Sequence, residues 1–178
     1  MVIRVMVALQ GIHGTDILFH IAGAKKVLEG GLLYRDTKPP LYYVYPPLYA
    51  YFQAFSILLL GDNLIGYKAF PLIFDIGVAW LLYLLSKKVY NGRMGEMVAV
   101  FYLFYPLTIV SSSWYGLFDS IPQSFMLIAL YLFIKERFWG SSISLAIGIM
   151  LKIFPGAILL PILMSYWRKG EKKRLAKY

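Results

Sequence analysis

Hydrophobic positions along this chain fall into long runs, and the length of each run decides what it can do. A helix needs about 20 apolar residues to cross a bilayer core of about 30 Å. Ile65–Leu85 has that length and closes on Ser86, Lys87 and Lys88, so it predicts a span. Met94–Ser111 predicts a second, and Ile121–Ile134 a short third that ends at Lys135, Glu136 and Arg137. Ser141–Trp167 is interrupted at LKIFPG, where Pro155 and Gly156 predict two half-length helices instead of one rod. Met1–Ile12 is too short to cross and is interrupted by Arg4; it reads as an anchor whose N-terminal part lies outside the sequence. Leu48–Leu60 would be roughly 20 Å long as a helix, which predicts an interfacial or re-entrant segment.

Two stretches break the pattern. GTDILFHIAGAKKVLEGG places apolar residues at helical spacing, with Thr15 as N-cap and Gly30-Gly31 as stop, and predicts a surface helix. LYRDTKPPLYYVYPPLYAY has four prolines, six tyrosines and no period; it predicts an interfacial loop with its rings at headgroup depth.

Charge gives these elements an orientation. Lys87, Lys88 and Arg93 form one basic cluster, and Lys135 with Arg137 a second. The third comprises Arg168, Lys169, Lys172, Lys173, Arg174 and Lys177. The positive-inside rule puts all three in the cytoplasm. The second and third spans are then an out-and-back pair joined externally by SSWYGLFDSIP, and the broken segment goes in and returns with its tip near Lys152 and Pro155. Parity closes only if Leu48–Leu60 does not cross. The expected fold is an all-α polytopic transmembrane bundle in a single domain, residues 1–178. It has an external loop (13–62) carrying surface and interfacial helices, transmembrane helices over 65–167, and a basic cytoplasmic tail (168–178).

Composition agrees and narrows the chemistry. The chain is 60% hydrophobic and 15% charged, against roughly 45–50% and about 25% in soluble domains. The net charge of +9 lies between apolar runs and in the tail, a topology signal that excludes a nucleic-acid groove. Zero cysteines exclude disulfides, thiolate zinc sites and thiol nucleophiles. No P-loop, GxGxxG after a strand, HExxH or GxSxG occurs, and the paired halves of a transporter are missing.

Candidate chemistry collects on the external face. Asp16 opens the surface helix, where the helix dipole favours a carboxylate, and His20 lies one turn on. Three readings stand: a helix-start acid, an Asp16–His20 pair for a divalent cation (two ligands being few for a metal), and a catalytic carboxylate. Asp119 precedes Ser120-Ile121-Pro122-Gln123, a capping-box spacing, and reads either as a helix-start acid or as a carboxylate recessed at the lip of the bundle. Asp75 sits mid-span with Lys68 two turns earlier on the same face, and a pairing role between helices is favoured over catalysis. Arg35, Lys38 and Lys152 are the cations available to a phosphate.

The order of TDILFHIAGAKKVLEGGLLYRD, YVYPPLYAY, YKAFPLIFDIG, YLFYPLTIVSSSWYGLFDS and LKIFPGAILLP resembles the GT-C superfamily of polyprenyl-phosphate-sugar-dependent glycosyltransferases, most closely the GPI mannosyltransferase I type. The resemblance covers residues 16–162 and family members are commonly at least twice as long, so the chain looks like an N-terminal portion. It implies a membrane enzyme that transfers a sugar, expected to be mannose, from a polyprenyl (dolichol-type) phosphate donor to a glycan, lipid or protein acceptor, with inversion. Asp16 would be the catalytic base and Asp119 the second essential acid. The segment around Tyr45 would border the donor phosphate with Arg35, Lys38 and Lys152. No cofactor is required, with a divalent cation at Asp16 and His20 left open. The partners are the lipid donor, membrane lipids and the acceptor, with no nucleic acid. The site would face outward from a cell membrane, or into the lumen of the endoplasmic reticulum. The alternative is a non-catalytic truncated relative, or a subunit that binds lipid-linked sugars.

Overall fold

A computed structural model describes residues 2–35, 42–168 and 170. These form an all-helical membrane bundle, with no strand among the described residues. In chain order the helices are α1 (Val2–Ala8), α2 (Asp16–Leu28), α3 (Pro47–Leu60), α4 (Leu64–Val89), α5 (Gly92–Phe104), α6 (Pro106–Ile109), α7 (Ser120–Ile134), α8 (Phe138–Leu151) and α9 (Leu159–Arg168). A π-helical turn, Val110–Trp114, continues α6, and a 3₁₀ turn, Phe154–Ile158, leads into α9.

Among the described residues only α4, with 26 residues, is long and apolar enough to cross a membrane by itself. At a helical rise it measures about 39 Å. The second predicted span is bent by 52° between α5 and the stretch Pro106–Trp114. Pro106 is the cause. A residue before proline is pushed out of the helical region, and Tyr105 sits at φ −66°, ψ 121°. The expected straight Met94–Ser111 helix is therefore two pieces. Helices α3, α7 and α8 have 14, 15 and 14 residues. The break at LKIFPG falls where the spacing predicts it, with Lys152 extended at the end of α8 and Pro155 inside the 3₁₀ turn.

Serines tie the short helices together, as expected where lipid supplies no hydrophobic drive to helix association. Ser120 Oγ donates to Pro71 O (2.8 Å), joining α7 to α4. Ser141 Oγ donates to Ala129 O and Ser144 Oγ to Phe125 O, both at 2.8 Å, joining α8 to α7. Apolar packing fills the gaps: Val78, Tyr102 and Leu127 link α4, α5 and α7, and Ala129, Leu145 and Ile162 link α7, α8 and α9. Outside this frame α2 and α3 run side by side in the same direction, packed through Ile17, Ile21, Ala24, Ala54 and Ile57. An ion pair between Lys25 and Asp62 (2.7 Å) closes their far end.

The two intramembrane charges of α4 do not pair with each other. Arg4, an interruption in the sequence pattern, lies buried with its Nη1 2.6 Å from Asp75 Oδ2. Asp75 Oδ1 also accepts the Tyr102 hydroxyl at 2.9 Å. The rest of the guanidinium donates to the carbonyls of Tyr102 (3.2 Å) and Leu103 (3.1 Å), just before the break at Tyr105. Lys68 is equally buried, and its three ammonium N–H groups are shared among four carbonyls within 2.7–3.2 Å: Ala8, Gly11, Ser113 and Trp114. The first two lie at the end of α1 and the last two in the π-helical turn. Lys68 thus clamps two chain segments onto the upper part of α4.

Candidate functional site

The loop of residues 115–119, α2 and the start of α3 meet at the start of α7. Gly116 makes the approach feasible. Its φ is +67°, a conformation side chains rarely adopt, and a Cβ there would stand 2.5 Å from Ile17 Cδ1. Phe118 is thereby set beneath α2 and stacks on Tyr49, with centroids 3.7 Å apart.

His20 sits at the centre of this layer, fully buried. Tyr45, Tyr49 and Phe118 surround its ring at centroid distances of 4.6, 4.8 and 4.8 Å, with Tyr43 at 6.4 Å. Neither ring nitrogen has a hydrogen-bond partner. Burial, and then the nearby charge of Lys152, push its pKa down to about 3, so the imidazole is neutral.

Asp16 opens α2, as the sequence suggests, but Thr15 makes no side-chain cap. The half-buried Asp16 carboxylate lies near the Tyr45 hydroxyl and acts on it electrostatically. Burial foremost, with the Asp16 and Asp119 carboxylates, raises the Tyr45 hydroxyl to about 12, so it stays a donor. Asp119 stands at the start of α7 without capping it. Its carboxylate is drawn instead to the Lys152 ammonium, with which it forms an ion pair. Lys152 also lies 5.4 Å over the Phe118 ring. The residue belongs at the end of α8, where a helix dipole favours a cation.

The fold therefore gathers Asp16, His20, Tyr45, Asp119 and Lys152 into one polar cluster walled by aromatic rings. Arg35 is not joined to it: it is exposed on the loop after α2, and among the described residues its side chain makes no ion pair. Lys38 lies outside the described residues. No group of three metal-ligating residues occurs among the described residues.

Two cavities adjoin the cluster. A cleft of about 260 Å³ is lined by His13, Gly14, Thr15, Asp16, Tyr115 and Leu117. Deeper, a chamber of about 100 Å³ brings Asp119 and Asp75 to one space, with Tyr102, Thr108, Ser112 and Gln123 among its walls. Leu117 borders both. His13 and Tyr115 escaped the sequence analysis. Only the aromatic pair Trp114-Tyr115 beside Gly116 in the external connection pointed to them.

Comparison with known families decides the classification. The family model of the GPI transamidase subunit PIG-U matches residues 20–177. The chain belongs to the PIG-U family. PIG-U is a GT-C-like membrane family, so the architectural half of the resemblance stands, and the chain is a membrane protein. The functional half is corrected. PIG-U proteins are subunits of a protein-attachment complex, not sugar-transferring mannosyltransferases, so the expected glycosyltransferase activity is withdrawn. The PIG-U match begins at His20 and includes Asp119 and Lys152 but not Asp16. No solved structure matches the chain.

Proposed function

We propose that this protein is a non-catalytic membrane subunit of a protein-attachment machine of the GPI transamidase type, and that its external cluster holds the phosphate-bearing head of a lipid-linked glycan. The observation that carries the reading is the Lys152–Asp119 pair beneath the aromatic layer. An ammonium with a carboxylate as resting counter-ion can exchange that carboxylate for a phosphate oxygen, and the displaced Asp119, about a third exposed, is left to water. The exposed apolar side chains of α1 and α3 would keep the site within reach of a lipid's alkyl part. The three basic clusters support an external or lumenal position for the site.

The test is retention of a polyprenyl-phosphate sugar by the full chain in lipid nanodiscs, read by native mass spectrometry beside the phosphate-free polyprenyl glycoside. The expected result is retention of the phosphate form only, about tenfold weaker in Lys152→Gln. Asp119→Asn, which removes the competing counter-ion, should bind more tightly. Equal retention of both lipids, or indifference to Lys152→Gln, overturns the reading. Conversion of the lipid during incubation would overturn its non-catalytic part.

A further inference from the structure

Most of the uncompensated charge lies at the other end of the bundle. Helix α7 begins beside the polar cluster and ends at Ile134, so Lys135 and Arg137 stand away from Asp119. Packing brings the remaining basic positions to that same end. Leu85 of α4 shares an apolar cluster with Ile134, which places Lys87, Lys88 and Arg93 there. Tyr166 of α9 meets Phe133 and Phe138 at centroid distances of 5.4 and 6.2 Å. Those two rings flank the Lys135–Arg137 turn, so Arg168 joins it. These six cations are exposed and stand among only two acids, Glu96 and Glu136. Among the described residues none of the six makes an ion pair.

We infer that α9 at this end is a docking site for an anionic phospholipid of the surrounding bilayer. It does not depend on the reading given for Lys152, which lies at the opposite end.

The order of residues along α9 carries the inference. Pro161, Met164, Ser165 and Arg168 stand at helical spacing on one face and line a groove of about 390 Å³. Two apolar residues come first, then a hydroxyl, then a guanidinium at the helix end. A phospholipid has the same sequence of chemistries: alkyl chain, ester-linked glycerol, phosphate. The guanidinium presents a planar fork of donors that matches a phosphate bidentately, and the Ser165 hydroxyl can donate to an ester or phosphate oxygen. Trp167 and Trp139, 67% and 66% exposed, stand at the same level. Indole rings settle where hydrocarbon meets headgroups. Charge alone would suit an acidic peptide equally well. The apolar half of the groove, continued by the exposed Leu160, is what favours a lipid.

The experiment is native mass spectrometry of the full chain released from nanodiscs made of equal parts phosphatidylglycerol and phosphatidylcholine. Retention of the anionic lipid in excess is expected. Arg168→Gln should cut that excess about fivefold, the worth of one cation near an anionic headgroup. Met164→Asp, a change at an exposed position that leaves the core intact, should cut it as well. Lys87→Gln combined with Lys88→Gln, at the end of α4, should lower it much less. An unchanged excess in Arg168→Gln would reduce that residue to a helix-end cation and overturn the site. Equal losses in the Arg168 and Lys87/Lys88 variants would mean diffuse attraction to the whole basic end, and no docking site on α9. Equal retention of the two lipids also overturns it. Capture of an oligoglutamate peptide or of glycerol 3-phosphate in that case would give the groove to an acidic peptide or a soluble anion.

Discussion

Arg4 and Asp75 are 71 positions apart in sequence, yet their charged groups meet at 2.6 Å with both side chains 2% exposed. A pair at that depth is weak evidence for net stability, because desolvation opposes attraction, but removing one partner strands the other. Arg4→Ala should therefore lower stability by about 3–5 kcal/mol. Arg4→Met combined with Asp75→Leu should recover much of that loss. Denaturant or thermal unfolding in detergent, followed by circular dichroism, checks both. Equal loss in the single and double variants would mean that the carbonyl contacts of Arg4, not its charge, matter most.

His20 links stability to pH. Its folded pKa, about 3, lies below the ordinary value of 6.5, so the unfolded chain takes up a proton that the folded chain refuses. The contribution is fully present above pH 6.5 and is lost as pH falls toward 3, with a slope of at most about 1.4 kcal/mol per pH unit. His20→Phe should flatten that slope. A melting temperature that is flat between pH 6.5 and 4 in the parent protein would contradict the burial of a neutral ring.

Gly116→Ala should destabilise the loop under α2 by about 1–2 kcal/mol through its left-handed φ alone. The clash with Ile17 Cδ1 adds to this. Ile17→Val removes that atom, so the double variant should cost less than the two single changes added together. Strict additivity in unfolding experiments would show that the loop moves away from α2 instead.

Cysteines introduced singly into this cysteine-free chain report the orientation. Val44→Cys and Asp62→Cys, which flank α3, should react with impermeant maleimide from one side of sealed vesicles, and Arg93→Cys and Arg137→Cys from the other. Opposite labelling of Val44→Cys and Asp62→Cys would show that α3 crosses.

Run length and punctuation made most of the bundle legible. Ile65–Leu85 anticipates α4, Leu48–Leu60 anticipates α3, and the Pro155 break lies where expected. The bend at Tyr105 was equally visible as a proline inside an apolar run, yet hydropathy outweighed it. In the site, the sequence named Asp16, Asp119, Arg35, Lys38, Tyr45 and Lys152; Arg35 stands apart from the cluster, Lys38 lies outside the described residues, and the Lys152–Asp119 pairing was not anticipated. Capping-box spacing pointed Asp119 at its own helix, and only the turn after α8 reveals that Lys152 reaches it first. Arg4 was misread for a related reason: a charge in a short apolar run looks like an interruption until its distant carboxylate is known. His13 and Tyr115 carry no spacing signal, because loop contacts alone place them.

The break in the second span has a consequence for how the chain is made. Arg4 emerges from the ribosome early, but the carboxylate that neutralises it arrives with α4, and the carbonyls of Tyr102 and Leu103 and the Ser112 hydroxyl (3.1 Å) arrive later still. Lys68 likewise waits for Ser113 and Trp114. Two cations thus pass through insertion without their full set of partners. Synthesis of residues 102–114 is the event that lets α1 dock, and a ribosome stalled before that point would leave α1 loose at the bilayer surface.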